Sequence, residues 1–90
     1  MAFFDSTITI RATFPASAGN LATLTNVHCE VYDMNNTLIE DVKGTDVTKL
    51  TDGVYEIDWL LEENIIYSFF GTLGTRILVG KAKVRASVPV

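Results

Sequence analysis

Leu50-Thr51-Asp52-Gly53-Val54-Tyr55-Glu56-Ile57-Asp58-Trp59 reads as a tight turn feeding a strand. Asp52-Gly53 supplies the turn, because glycine reaches positive φ without a Cβ clash. Beyond it the side chains alternate, with Tyr55, Ile57 and Trp59 on one face and Val54, Glu56 and Asp58 on the other. A period of two carrying large apolar anchors marks a half-buried strand. Trp59 is the only tryptophan, and it is expected to fix the centre of the core.

Working outward, the same period recurs along the chain. In residues 6–14, Ile8, Ile10, Ala12 and Phe14 form one row and Thr7, Thr9, Arg11 and Thr13 the other, until Pro15 ends the run for want of an N–H. Residues 15–20 are a loop of small residues. A strand is expected from Ala22 to Asp33, with Val27, Cys29 and Val31 inward and His28, Glu30 and Tyr32 outward. Asp33-Met34-Asn35-Asn36 turns it into a short partner over Thr37–Lys43, since Asn and Asp tolerate left-handed backbone. Val47–Leu50 is a brief strand after the Gly44-Thr45-Asp46 break, and Leu61–Asn64 is a polar connection. Ile65–Phe70 is the most apolar run and is expected to be a central strand covered on both faces. A loop over Gly71–Thr75 leads to Arg76–Val79. After Gly80 the last strand sets Ala82, Val84, Ala86 and Val88 against Lys81, Lys83, Arg85 and Ser87. Seven or eight short strands with no sustained helical period indicate an all-β, antiparallel sandwich forming a single domain over residues 1–90.

Ninety residues lie near the lower limit for a core that stabilises itself, and neither disulfides nor a metal cluster reinforces this one, since Cys29 and His28 are the only residues of their kinds. Apolar residues make up 48% of the chain and charged ones 20%, which suits a globular fold and leaves apolar surface for contacts. The start, Met1-Ala2-Phe3-Phe4-Asp5, has no basic residue and no long apolar segment after it, so synthesis in the cytoplasm without membrane association is expected. The net charge of −4 is unevenly spread. Residues 1–63 hold all eleven acids and three bases, a balance of −8, whereas residues 64–90 hold four bases and no acid, a balance of +4. The simpler reading is that the two parts form neighbouring strands whose charges offset locally. The sharper one is that an acidic face of one copy meets a basic strand of another.

Val31-Tyr32-Asp33-x-Asn35-Asn36-x-Leu38-Ile39 followed by Thr48-Lys49-Leu50-x-Asp52-Gly53-Val54-Tyr55 is similar to the small immunoglobulin-like modules of tailed-phage virion proteins and of macroglobulin-type and adhesin repeats. The resemblance covers about residues 22–88 and places Tyr55 where the tyrosine of an Ig-type corner stands. It implies an immunoglobulin-like antiparallel β-sandwich and a small virion component, a capsid decoration or connector subunit, assembled in the host cytoplasm. Its partners would be copies of itself and other virion proteins.

The residues point away from chemistry. Cys29 and His28 are adjacent on a strand, so their side chains leave opposite faces and cannot pair for nucleophilic catalysis. Glu56 and Asp58 share a face at roughly 7 Å by strand geometry, but on its solvated side. Asp33-Met34-Asn35-Asn36-Thr37 opens like a calcium loop, yet Leu38 stands where the glycine is needed and Gly44 where the last acid is needed. No catalytic, cofactor or metal residues are assigned, and no small-molecule substrate. The basic row lacks interleaved aromatics in an acidic chain, which argues against nucleic acid. What remains is contact chemistry. Phe3, Phe4, Tyr32 and Phe70 are aromatics expected to look outward, Phe70 because adjacent Phe69 and Phe70 cannot face one core. Arg76, Lys81, Lys83 and Arg85 form a basic edge; the commonest reason for such a row is a solvated edge strand that discourages stray pairing, and contact with an acidic partner surface is the next. These eight are the expected interface of a non-enzymatic structural protein working in multiple copies. The alternative is a stand-alone binding module for carbohydrate or a host protein, with Tyr32, His28 and Asn35 as its contact cluster.

Overall fold

The computed structural model describes residues 6–88. Phe3 and Phe4, two of the expected interface residues, lie outside the described residues. The described residues form seven strands: β1 Ser6–Thr13, β2 Thr25–Tyr32, β3 Leu38–Val42, β4 Thr48–Thr51, β5 Val54–Leu61, β6 Ile65–Leu73 and β7 Arg76–Ala86. Two antiparallel sheets result, one ordered β1-β5-β4 and the other β3-β2-β6-β7. Their inner faces share one apolar cluster, so the chain is an all-β sandwich.

The alternation read from β1, β2 and β5 is the observed burial. Ile10, Ala12 and Phe14 are buried with Cys29 and Val31 opposite, while Thr7, Thr9, Arg11 and Thr13 are exposed. The centre, however, belongs to Phe14 and Phe69, at 1% and 0% exposure, and not to Trp59, which is half-buried at the rim. The reason is strand length. β4 pairs with β5 only at Val54, Tyr55 and Glu56, so Trp59 stands on a stretch of β5 that no strand flanks on that side.

Other differences also have local causes. The expected start of β2 is instead a 3₁₀ turn, Leu21–Thr23, capped by the Asn20 side chain accepting from the Ala22 N–H at 3.2 Å. It seats Leu21 against Gly53 and Leu24 against Gly71, closing one end of the sandwich. Gly71 therefore belongs to β6 and not to a loop, and the β6–β7 connection shrinks to Gly74-Thr75, with Gly74 at φ +65°. The second face of β6 is covered only in part, for Ser68 is buried there while Ile66 and Phe70 are half-buried. Asp52-Gly53 joins β4 to β5 within one sheet, so Tyr55 is not a corner tyrosine bridging sheets; it packs edge-on against Phe14 at 5.9 Å.

β7 runs unbroken through Gly80, and its pairing with β6 is irregular at Val79–Lys81 and again before Val84. Lys83 adopts φ +46° at the second irregularity, where its N–H donates to the buried Ser68 hydroxyl at 2.7 Å. Such bulges re-aim the side chains that follow. Val84, Ala86 and Val88 accordingly pack on the core as expected, whereas Ala82 is exposed.

Gly80 is where the two sheets meet. A Cβ there would lie 2.8–3.0 Å from three atoms of the Phe14 ring. Gly80→Ala is expected to lower unfolding free energy by about 1–3 kcal/mol, the usual penalty of an overpacked core. Denaturant unfolding checks this, and a Gly80→Ala/Phe14→Leu double variant should lose less than the two single changes added together.

Candidate interaction surfaces

The side chains with nucleophilic, acid–base or metal-binding groups are engaged otherwise. Cys29 is fully buried, and burial pushes its thiol up to about 12, with the Asp41 and Glu30 charges adding to the rise and a hydrogen bond from the Ser68 backbone opposing it. A thiol this reluctant to ionise is no nucleophile at neutral pH. His28 leaves the opposite face, as the alternation requires. It stacks on Phe70 at 5.4 Å, and its Nδ1 donates to the Asn26 carbonyl oxygen at 2.9 Å. The Asp33 carboxylate caps its own turn, accepting from the N–H groups of Asn35 and Thr37 at 2.8 and 3.0 Å, with Asn36 left-handed at φ +63°. Glu56 pairs with Arg11 across to β1 at 3.1 Å, and Asp58 accepts from the Thr9 hydroxyl at 2.9 Å. Among the described residues no cluster of three or more metal-ligating side chains forms.

The expected contact residues fall into two groups on the four-stranded sheet. On its outer face, pairing sets His28 beside Phe70 and Phe70 beside Val79, with Tyr32 beside Ile66 and Ile66 beside Arg85. The Tyr32 hydroxyl donates to Glu30, whose carboxylate holds it above the ordinary phenol range. Phe70 thus faces outward as its adjacency to Phe69 demanded. The second group is the edge strand β7 itself, where Arg76, Lys81, Lys83 and Arg85 are all exposed. Local charge offset, the simpler expectation, is not what the fold provides. β6, the sheet neighbour of β7, has no charged residue, and none of the four cations forms an ion pair among the described residues. Arg76 and Lys81 donate instead to the backbone carbonyls of Ala18 and Arg11.

On the far side of the molecule lies a feature the sequence did not announce. β3 ends the four-stranded sheet, and β5 runs past the end of β4, so the sandwich gapes along that flank. The resulting cleft has a volume of about 690 Å³. Its acids are Glu40, Asp46, Glu56, Asp58 and Glu62, and no base lines it. Ile39, Trp59 and Leu60 supply its apolar wall. A signal for it did exist in the adjacent apolar pairs Leu38-Ile39 and Leu60-Leu61. In a strand one member of each pair must face away from the core: Leu60 is 46% exposed beside buried Leu61, while on edge strand β3 both Leu38 and Ile39 are exposed, at 51% and 43%.

Cys29 gives this interior a checkable pH response. Its ordinary value is 9.0, and the fold raises it to about 12. Below pH 9 both folded and unfolded chains keep the proton and stability is unaffected. Between 9 and about 12 the unfolded chain ionises first, so stability falls as pH rises, with the raised Tyr67 hydroxyl acting in the same direction. Thermal unfolding from pH 7 to 11 should show a flat midpoint to about 9 and a decline beyond. At pH 8 Cys29 should resist a thiol reagent until denaturant is added; stoichiometric labelling of folded protein would contradict its burial.

The chain matches no protein-family model, no curated protein and no solved structure to which it was compared. A functional reading rests on its own residues.

Proposed function

We propose that this chain is a non-enzymatic structural or interaction protein acting in multiple copies, of the kind that decorates or connects a virus capsid. One observation carries the reading. The exposed large apolar side chains on the strands all stand at strand edges: Leu38 and Ile39 on β3, Ile77 and Val79 on β7, Leu50 on β4 and Leu60 on the unflanked part of β5. Ile77 is 73% exposed. Charges blunt an edge against stray pairing, and the four cations of β7 do so in part, but these apolar side chains leave the edges suited to repeated protein contacts. The virion setting, with assembly in the host cytoplasm, rests on the resemblance of residues 22–88 to tailed-phage modules. Other virion proteins would then be partners beside further copies.

The strand order supports an immunoglobulin-like sandwich. With β1 as strand B, the sheets read B-E-D against C′-C-F-G, a set drawn from the immunoglobulin arrangement. Cys29 then falls on strand C, outside the cysteine pair of antibody domains. The cleft does run past Glu56 and Asp58, the pair on which an enzymatic reading would depend. Their engagement by Arg11 and Thr9 on a solvated strand face favours a contact surface over acid–base work.

A second reading, a binding module for carbohydrate or a host protein, draws on the His28–Phe70 stack with Tyr32 on the same sheet face. Quantitative mass spectrometry of virus particles purified from the source culture separates the two. A fixed, multi-copy ratio to the major capsid protein is expected. Absence from washed particles, together with a specific signal on a glycan array that Phe70→Ala abolishes, would overturn the structural reading in favour of the second.

A further inference from the structure

We infer that the basic edge strand β7 of one copy docks into the acidic cleft beside β5 of the next, joining copies head to tail. This inference rests on the multi-copy reading above and names the two surfaces that carry it. Three properties of the cleft and the strand match.

The first is charge. Glu40, Asp46 and Glu62 enter the cleft without ion-pair partners among the described residues, and β7 carries four cations that likewise have none. Within one molecule β7 and β3 are opposite edges of the same four-stranded sheet, so β7 cannot reach its own cleft. A second copy satisfies both sets at once.

The second is backbone. Alternate residues of an edge direct N–H and C=O groups into the open. On β5, residues 57–61 pair with β1 on one side and with no strand on the other. Five residues give an edge of roughly 17 Å. Arg76–Val79 of β7 is regularly paired to β6 before the first bulge and pairs with no strand on its other side, where the Arg76 side chain donates to the Ala18 carbonyl. Strand addition of this sort takes affinity from main-chain hydrogen bonds and specificity from side-chain pockets.

The third is apolar content. Ile77 and Val79 stand exposed on the strand, and Leu60 and Ile39 on the cleft beside half-buried Trp59. Docking covers both. Because the two surfaces differ and lie on opposite flanks, the contact is heterologous, and repetition closes a ring or extends a filament.

Light scattering behind gel filtration, with charge-reversed variants, tests this. One variant carries Lys81→Glu, Lys83→Glu and Arg85→Glu; the other carries Glu40→Lys, Asp46→Lys and Glu62→Lys. The wild type should grow in mass with concentration and lose that growth as salt rises, since screening acts within about 10 Å at 0.1 M. Each variant alone should associate at least about tenfold more weakly. Mixing the two should restore association in alternating 1:1 stoichiometry, because each strand again meets an opposite cleft. Should a reversed variant fail to fold by circular dichroism, glutamine at the same positions replaces it and must still weaken association. Association that survives in both variants would overturn the strand-into-cleft contact while leaving the multi-copy reading standing. A wild type that stays monomeric at every concentration would overturn the contact whatever the particle stoichiometry proves to be.

Discussion

The packing of Phe14 on Gly80 is the contact from which the rest of the sandwich takes its shape. Phe14 follows β1 in one sheet, fixed by its N–H donating to the Gly53 carbonyl at 2.8 Å. Its ring lies on β7 of the other sheet at the one residue where the backbone carries no side chain. That close approach lets the two layers share a core and holds the β1–β7 flank shut. Lys81 reaching the Arg11 carbonyl lies on the same flank. Burying an aromatic ring is among the largest single contributions available to so small a core.

A sandwich shut on one flank and built from unequal sheets has consequences on the other. Four strands face three, and β4 is only four residues long. The crossing from β3 to β4 through the 3₁₀ turn Gly44–Asp46 covers part of the gap. The rest stays open beside Trp59. Cleft and exposed apolar edge are thus results of strand count and strand length. The acids that line the gap give it the negative charge that the proposed basic strand of a second copy would meet.

How much of this was legible varied with the kind of interaction involved. Alternation depends on each residue and its neighbours, so the faces of β1, β2 and β5 could be read directly, as could the turns at Asp33–Asn36 and Asp52-Gly53. Phe70 could be turned outward by its adjacency to Phe69. What eluded reading depended on distant partners. Gly71 and Gly80 look like breaks until Leu24 and Phe14 are seen to occupy the space a side chain would take. Trp59 looks central until β4 proves too short to flank it. Ala82 looks inward until Lys83 takes left-handed φ and shifts the frame. The uneven charge was visible in the sequence, but whether it offset locally depended on β6, an uncharged neighbour that only the sheet order reveals. The same pair rule that placed Phe70 would have flagged Leu60 and Ile39, and with them the cleft.

Residues 57–61 of β5 form an open edge, which the proposed strand-into-cleft contact would fill. Hydrogen exchange followed by mass spectrometry, on the wild-type protein in dilute and in concentrated solution, addresses that edge itself. If that contact forms, peptides covering 57–61 and 76–79 exchange quickly when dilute and become protected together as concentration rises, while peptides of the core strand β6 stay slow throughout. Exchange at 57–61 that is already as slow as in β6 when dilute, or that does not change with concentration, would contradict it.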